Sequence, residues 1–147
     1  MDPIKLQDPG SADVQTITLW DIRTAGTYYE LGEFLASRLA DYWPQQMVNG
    51  VKTSVDQAGT WRSQLAEVTY SGAPILICRH TSSNDHITAV AAAKGTGNPN
   101  EAEVFVCVAS YDGERVQPVM MAALRQECFA RSLVLGKAKM VRTWEPI

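Results

Sequence analysis

Basic charge, paired cysteines and long apolar runs are all scarce in this chain. Thirteen Lys and Arg stand against sixteen Asp and Glu, a formal charge of −3, with a pI near 5.3. A domain whose main work is gripping phosphate backbones is usually strongly basic, so this balance disfavours nucleic acid as a partner. The three cysteines, Cys78, Cys107 and Cys128, are odd in number, far apart and each set in an apolar run. That is the pattern of small buried hydrophobes in a reducing compartment. A zinc site wants close Cys/His pairs, whereas His80 and His86 are the only histidines and stand alone across a polar loop; no metal is expected. No run approaches the roughly 18 apolar residues of a membrane span. The start, MDPIKLQDPGSADV, has acids and prolines where a signal peptide needs a basic start and an apolar stretch. The expectation is a protein that stays in a cytoplasm or is packaged from one, not secreted and without a membrane partner. Internal repeats and low-complexity tracts are also missing. Ser82 and Ser83 lack a nucleophile-elbow sequence, so no hydrolase triad is read. GTGNPN contains GxG but joins two strands instead of opening a helix, which removes a nucleotide-binding reading.

What remains is the composition of one ordinary globular domain: 147 residues, 46% hydrophobic and 20% charged. A chain of this length buries roughly 68–70% of its unfolded surface. Residues 1–14 are rich in Asp, Pro and Gly without periodicity and read as a flexible N-terminal arm, leaving 15–147 as a single domain. QTITLWDI (15–22) suits a first strand. From Ala25 to Trp43, Tyr28, Leu31, Leu35, Leu39 and Tyr42 form one helical stripe ended by Pro44. Gln45–Thr53 reads as a loop, and Ser54 with Gln57 opens a second helix carrying Ala58, Trp61, Leu65 and Val68. Pro74–His80, His86–Lys94 and Glu103–Ser110 are separated by loops of hairpin length and predict an antiparallel meander. The third run is apolar on both faces, as at the centre of a sheet. Val116, Met120, Ala123, Leu124 and Cys128 predict a helix over 117–132, with Pro118 in its first turn. Lys137–Trp144 reads as a final strand. The fold class is α+β, in the order β-α-α-β-β-β-α-β.

This order, a central apolar strand followed by a polar turn, a helix and one more strand, is similar to the Gcn5-related N-acetyltransferase (GNAT) fold over about residues 15–144. The resemblance implies a mostly antiparallel central sheet flanked by helices, with acetyl-coenzyme A lying where two strands splay apart. It places the pyrophosphate at the helix start, where orphan N–H groups and the dipole favour anions. Arg115 takes the first place of the family's phosphate signature, with Val116 beside it, and Val106 and Val108 lie along the implied cofactor strand. Pro118 and Met120 stand where the family has small residues that let the backbone approach the pyrophosphate. Glu103 matches the strand position where some relatives keep a carboxylate base. The family chain usually continues with another helix and two strands, whereas this sequence stops at Ile147, so a degenerate, C-terminally short version is expected.

Three functions follow. The first is a noncatalytic GNAT-like structural or assembly protein, such as a phage virion component, with no cofactor and with other subunits, or copies of itself, as partners. The second is an active N-acyltransferase with acetyl-CoA as cofactor and a divergent pyrophosphate loop. The third is an unrelated α+β subunit of an oligomer. Tyr29, Trp43 and Trp144 are the candidate interface residues, being aromatics in excess of what one small core needs. Tyr111 and Asp112 read either as turn residues or as ligand contacts at the strand ends, and His80 and His86 as a pair across a hairpin.

Overall fold

The computed structural model describes residues 1–25, 28–39, 46–48, 51–53, 57–83 and 86–136. Its main sheet has six strands: β1 (Ile4–Gln7), β2 (Val14–Leu19), β5 (Ile75–His80), β6 (Ile87–Gly95), β7 (Glu101–Ala109) and β8 (Val134–Leu135), adjacent in that order. Neighbours pair antiparallel except β7 and β8, which are parallel. β3 (Gln46–Val48) and β4 (Val51–Thr53) form a separate two-stranded sheet. Four helices complete the described chain: α1 (Ile22–Ala25), α2 (Tyr29–Arg38), α3 (Gln57–Tyr70) and α4 (Gly113–Ala130).

The meander expected over residues 74–110 is present as β5, β6 and β7. The middle of the sheet is β5–β6, whereas β7 lies one strand from the edge and only Val106–Ala109 is buried continuously. β6 reads ITAVAAAKG, and Ala89, Ala91, Ala92 and Ala93 are fully buried. Strand alternation splits the two faces. Arg79 reaches Glu30 of α2 and Phe105 meets Trp61 of α3, so one face is covered by α2 and α3. The other carries Leu76, Cys78 and His80 with their partners Ala91 and Ala89 and packs on α4, whose buried stripe is Val116, Met120, Ala123, Leu124 and Cys128.

Where α2 meets α3 there is no room for a side chain on Gly32. A Cβ there would lie 2.7 Å from Arg62 Cγ and 2.8 Å from the Ala58 carbonyl oxygen. β7 also carries a bulge: Ala92 pairs with Val106 and Ala93 with Val104, so Phe105 is the extra residue. Bulges bend a strand and increase its twist.

Three expectations need correction. Residues 4–7 were read as part of an arm but form β1, with Ile4 and Leu6 packed against the core; four residues are too few for their alternation to stand out among Asp, Pro and Gly. Within the 45–53 stretch, read as a loop, Gln46–Val48 and Val51–Thr53 are two short strands paired antiparallel. α4 starts at Gly113 instead of 117, so Pro118 is its sixth residue and lies inside the helix; the missing N–H costs one intrahelical bond. The strand after α4 is Val134–Leu135. The expected strand at 137–144, Trp43, Ser54 and Trp144 all lie outside the described residues.

Candidate functional site

β8 pairs with β7 only at Glu101↔Val134 and Ala102↔Leu135, extended by a Gly136 N–H to Ala102 carbonyl bond of 2.9 Å. Beyond Ala102, among the described residues, no strand pairs with the outer side of β7. The Ser110 N–H bonds to the Thr88 carbonyl of β6 at 2.8 Å. By strand alternation Cys107 therefore turns its carbonyl outward. Gln117 of α4 donates its Nε2 to that carbonyl at 3.3 Å, so the helix already serves one outward-facing group of β7. Glu103 is half-buried opposite Lys94 in the register. It lines a groove of about 900 Å³ with Lys94, Thr96, Asn100, Ala102 and Val134. That groove sits at the start of β7, whereas Arg115 and Val116 follow its far end, roughly 20 Å along the strand. Val106, Val108 and Val116 are fully buried.

Only Ser110, Tyr111 and Asp112 join β7 to α4. Asp112 is the N-cap in a left-handed conformation, φ +52°, and its carbonyl accepts from the N–H groups of Arg115 at 3.1 Å and Val116 at 2.9 Å. Arg115 donates Nε to Asp112 Oδ2 at 2.7 Å, Nη1 to the Gln7 carbonyl at 2.9 Å and Nη2 to Asp8 Oδ1 at 3.3 Å. The cation that sequence reasoning assigned to phosphate is thus held between two carboxylates of its own chain. With Glu114 also in the first turn, the helix start carries its negative charge internally, in the place where a bound anion would be favoured.

Asp8 is the hub of this cluster. Its Oδ2 accepts from His80 Nε2 at 2.7 Å and from the Tyr111 hydroxyl at 3.0 Å, while Oδ1 accepts from Gln15 Nε2 at 3.4 Å besides Arg115. Asp8 and His80 are only 7% and 5% exposed. The hydrogen bond from His80 holds the Asp8 carboxyl below its ordinary range, burial opposing and Tyr111 reinforcing it. The bond to Asp8, with burial, pushes the Tyr111 hydroxyl up. An ionised Asp8 requires a proton on His80 Nε2, and in the neutral imidazole Nδ1 is then the acceptor. The Ser82 hydroxyl lies 2.6 Å from Nδ1 and, with the imidazole neutral, donates to it. Asp8, Asp13 and His80 also place ligand-type atoms within 4.8 Å of one another, but Nε2 of His80 is already taken by Asp8.

The structure therefore brings together residues that sequence reasoning treated apart. Tyr111, Asp112 and Arg115 join His80 and Ser82 around Asp8, which lay in the supposed arm. No spacing motif links positions 8, 80 and 111, and only the sheet order puts them side by side. His86 is exposed. Tyr29 is 61% exposed at the start of α2. The three cysteines are free and buried. Among the described residues no helix is long and apolar enough to cross a membrane.

No family model matches the chain, and no curated protein matches it. Among solved structures, it is similar to an acetyltransferase of the GNAT family from Staphylococcus aureus Mu50, with a TM-score of 0.55 and 12% identity over 81% of this chain and 69% of that one. At that identity the likeness establishes the fold alone.

Proposed function

Given a GNAT-like fold, we propose that this chain uses the scaffold as a structural or assembly protein, of the kind a phage virion packages, and does not turn over acetyl-CoA. The observation that carries the reading is the closed start of α4, where Arg115 is bound to Asp8 and Asp112. A pyrophosphate arriving there would have to displace two carboxylates from the one cation and then sit beside them. Gln117 on the Cys107 carbonyl adds to this, since it occupies an outward-facing group of β7 that an extended amide-bearing ligand would use.

An assembly role needs surface that a partner can cover. Among the described residues Tyr29, Tyr70 and Phe129 are aromatics well exposed to solvent, at 61%, 92% and 79%. Aromatics of this sort are enriched in interfaces. Trp43 and Trp144 remain proposed contact residues on sequence grounds.

One observation favours the second reading, an active N-acyltransferase. Among the described residues β8 pairs in parallel with β7 over two positions only, and Glu103 lines the groove beside that pair, where this reading needs a base. Calorimetric titration of the purified protein with acetyl-CoA at low salt separates the two. The structural reading expects no saturable binding. A Kd at or below about 10 μM, worth roughly 7 kcal/mol, would overturn it, and Glu103→Gln would then test the base. Native mass spectrometry should find a defined multimer, and a strictly monomeric protein at micromolar concentration would count against assembly through copies of this chain.

A further inference from the structure

We propose that Ser82 is an acyl-accepting nucleophile, served by His80 as general base and by Asp8 as positioning residue, that takes the acyl group of small, neutral, activated carboxylic esters. This activity lies away from the groove beside Glu103 and does not depend on acetyl-CoA.

The chain of contacts carries the proposal. Ser82 is exposed, on the short 3-10 turn Thr81–Ser83 that follows β5. Its hydroxyl is 2.6 Å from His80 Nδ1, and the opposite ring nitrogen is 2.7 Å from a buried carboxylate. A nucleophile within hydrogen-bond reach of a base, with the base oriented by a third group, is the arrangement that activates an otherwise weak hydroxyl. It is recognised by geometry and roles, so the absence of an elbow sequence does not count against it. The imidazole has little freedom to leave this pose. Tyr111 stacks against it with ring centroids 4.7 Å apart and bonds to the same carboxylate oxygen. Asp8 is held in turn by Gln15 and Arg115.

In the reaction, Ser82 Oγ bonds to the acyl carbon as its proton passes to His80 Nδ1. The bond to the leaving oxygen then breaks, and the proton goes from His80 to that oxygen. The products are an O-acyl serine and an alcohol or phenol, with no oxidant or second reactant needed. The imidazolium formed midway is stabilised by Asp8. Two carboxylates lie close to the turn: Asp8, and Asp13, which accepts from Thr81 Oγ1 at 3.2 Å. Their charge disfavours anionic donors and selects neutral ones.

The test incubates the full-length protein with p-nitrophenyl acetate, follows p-nitrophenolate, and maps adducts by peptide mass spectrometry. One acetyl group per chain should appear on Ser82. Ser37 is an internal reference, since it too is exposed but donates only to the Phe34 carbonyl. General bases contribute about 100-fold or more, so Ser82 should be acetylated at least about 100 times faster than Ser37 in the same molecules. This comparison needs no variant to fold. Ser82→Ala should abolish the burst without changing the circular dichroism. Asp8→Asn should slow acetylation and alter its pH profile, because a carboxamide can turn its NH₂ to Nε2 and force the proton onto Nδ1. Acetylation of Ser82 at the rate of Ser37, or a burst that survives Ser82→Ala, overturns the proposal.

Discussion

Gly32→Ala sets two effects against each other. In an exposed helix the substitution stabilises by about 1 kcal/mol, because glycine loses more backbone freedom on folding. Here the new methyl would lie 2.8 Å from the Ala58 carbonyl oxygen and 2.7 Å from Arg62 Cγ. The arginine stem can move aside, but the carbonyl belongs to the backbone of α3 and can yield only if the two helices separate by several tenths of an ångström. Overpacking of this kind costs about 1–3 kcal/mol. The crowding therefore wins, and a net loss of about 1 kcal/mol, at most about 2, is expected. For a chain of this length that lowers Tm by about 2–4 °C for each kcal/mol. Urea denaturation followed by circular dichroism reads the change directly, as a lower midpoint at unchanged slope. A variant more stable than the parent would show that α2 and α3 are not in this contact and would refute the argument.

Two further outcomes follow from the site. Asp8 has a depressed carboxyl in the folded state, so it contributes stability that is fully present above its unfolded value near 3.8 and is lost as the pH falls through the folded value. The gap in urea midpoint between the parent and Asp8→Asn should stay constant from neutral pH down to about 4 and narrow below it; a gap that widens in acid would contradict the cluster. Burial pushes the Cys107 thiol up to about 12 and raises Cys78 and Cys128 as well. Ellman's reagent at pH 8 should accordingly react slowly with native protein and with three thiols after denaturation, and rapid native labelling would place a thiolate at the surface.

The meander and the helices were legible because their signals are local. Hairpin-length loops bracket β5, β6 and β7, and the stripes through Leu31–Leu35, Trp61–Leu65–Val68 and Val116–Leu124 repeat at helical steps. The start of α4 was misread because Pro118 invited a first-turn position, while the real cap is Asp112 in a backbone conformation that no residue type announces. β1 escaped notice for a different reason: Ile4 and Leu6 are partly buried by packing on the core beside β2, and four residues are too short a pattern to announce it. The polar cluster was illegible throughout. Each of its members is an ordinary turn or strand-end residue, and its chemistry exists only where the sheet order juxtaposes them.

The span of that cluster has a consequence for how the protein is made. Asp8 bonds to Tyr111 and Arg115, partners 103 and 107 positions further along the chain. A ribosome adding about 5–20 residues per second needs at least several seconds to synthesise that stretch, and longer before residue 115 clears the exit tunnel. The β1–β2 hairpin needs only a short loop and can close early, and β5 can join it after residue 80 has emerged. In that interval the Asp8 carboxylate has His80 but not its other long-range donors. The N-terminal strand is thus laid down first and fastened last, so a nascent chain halted before α4 would hold its first residues less firmly than the finished protein does.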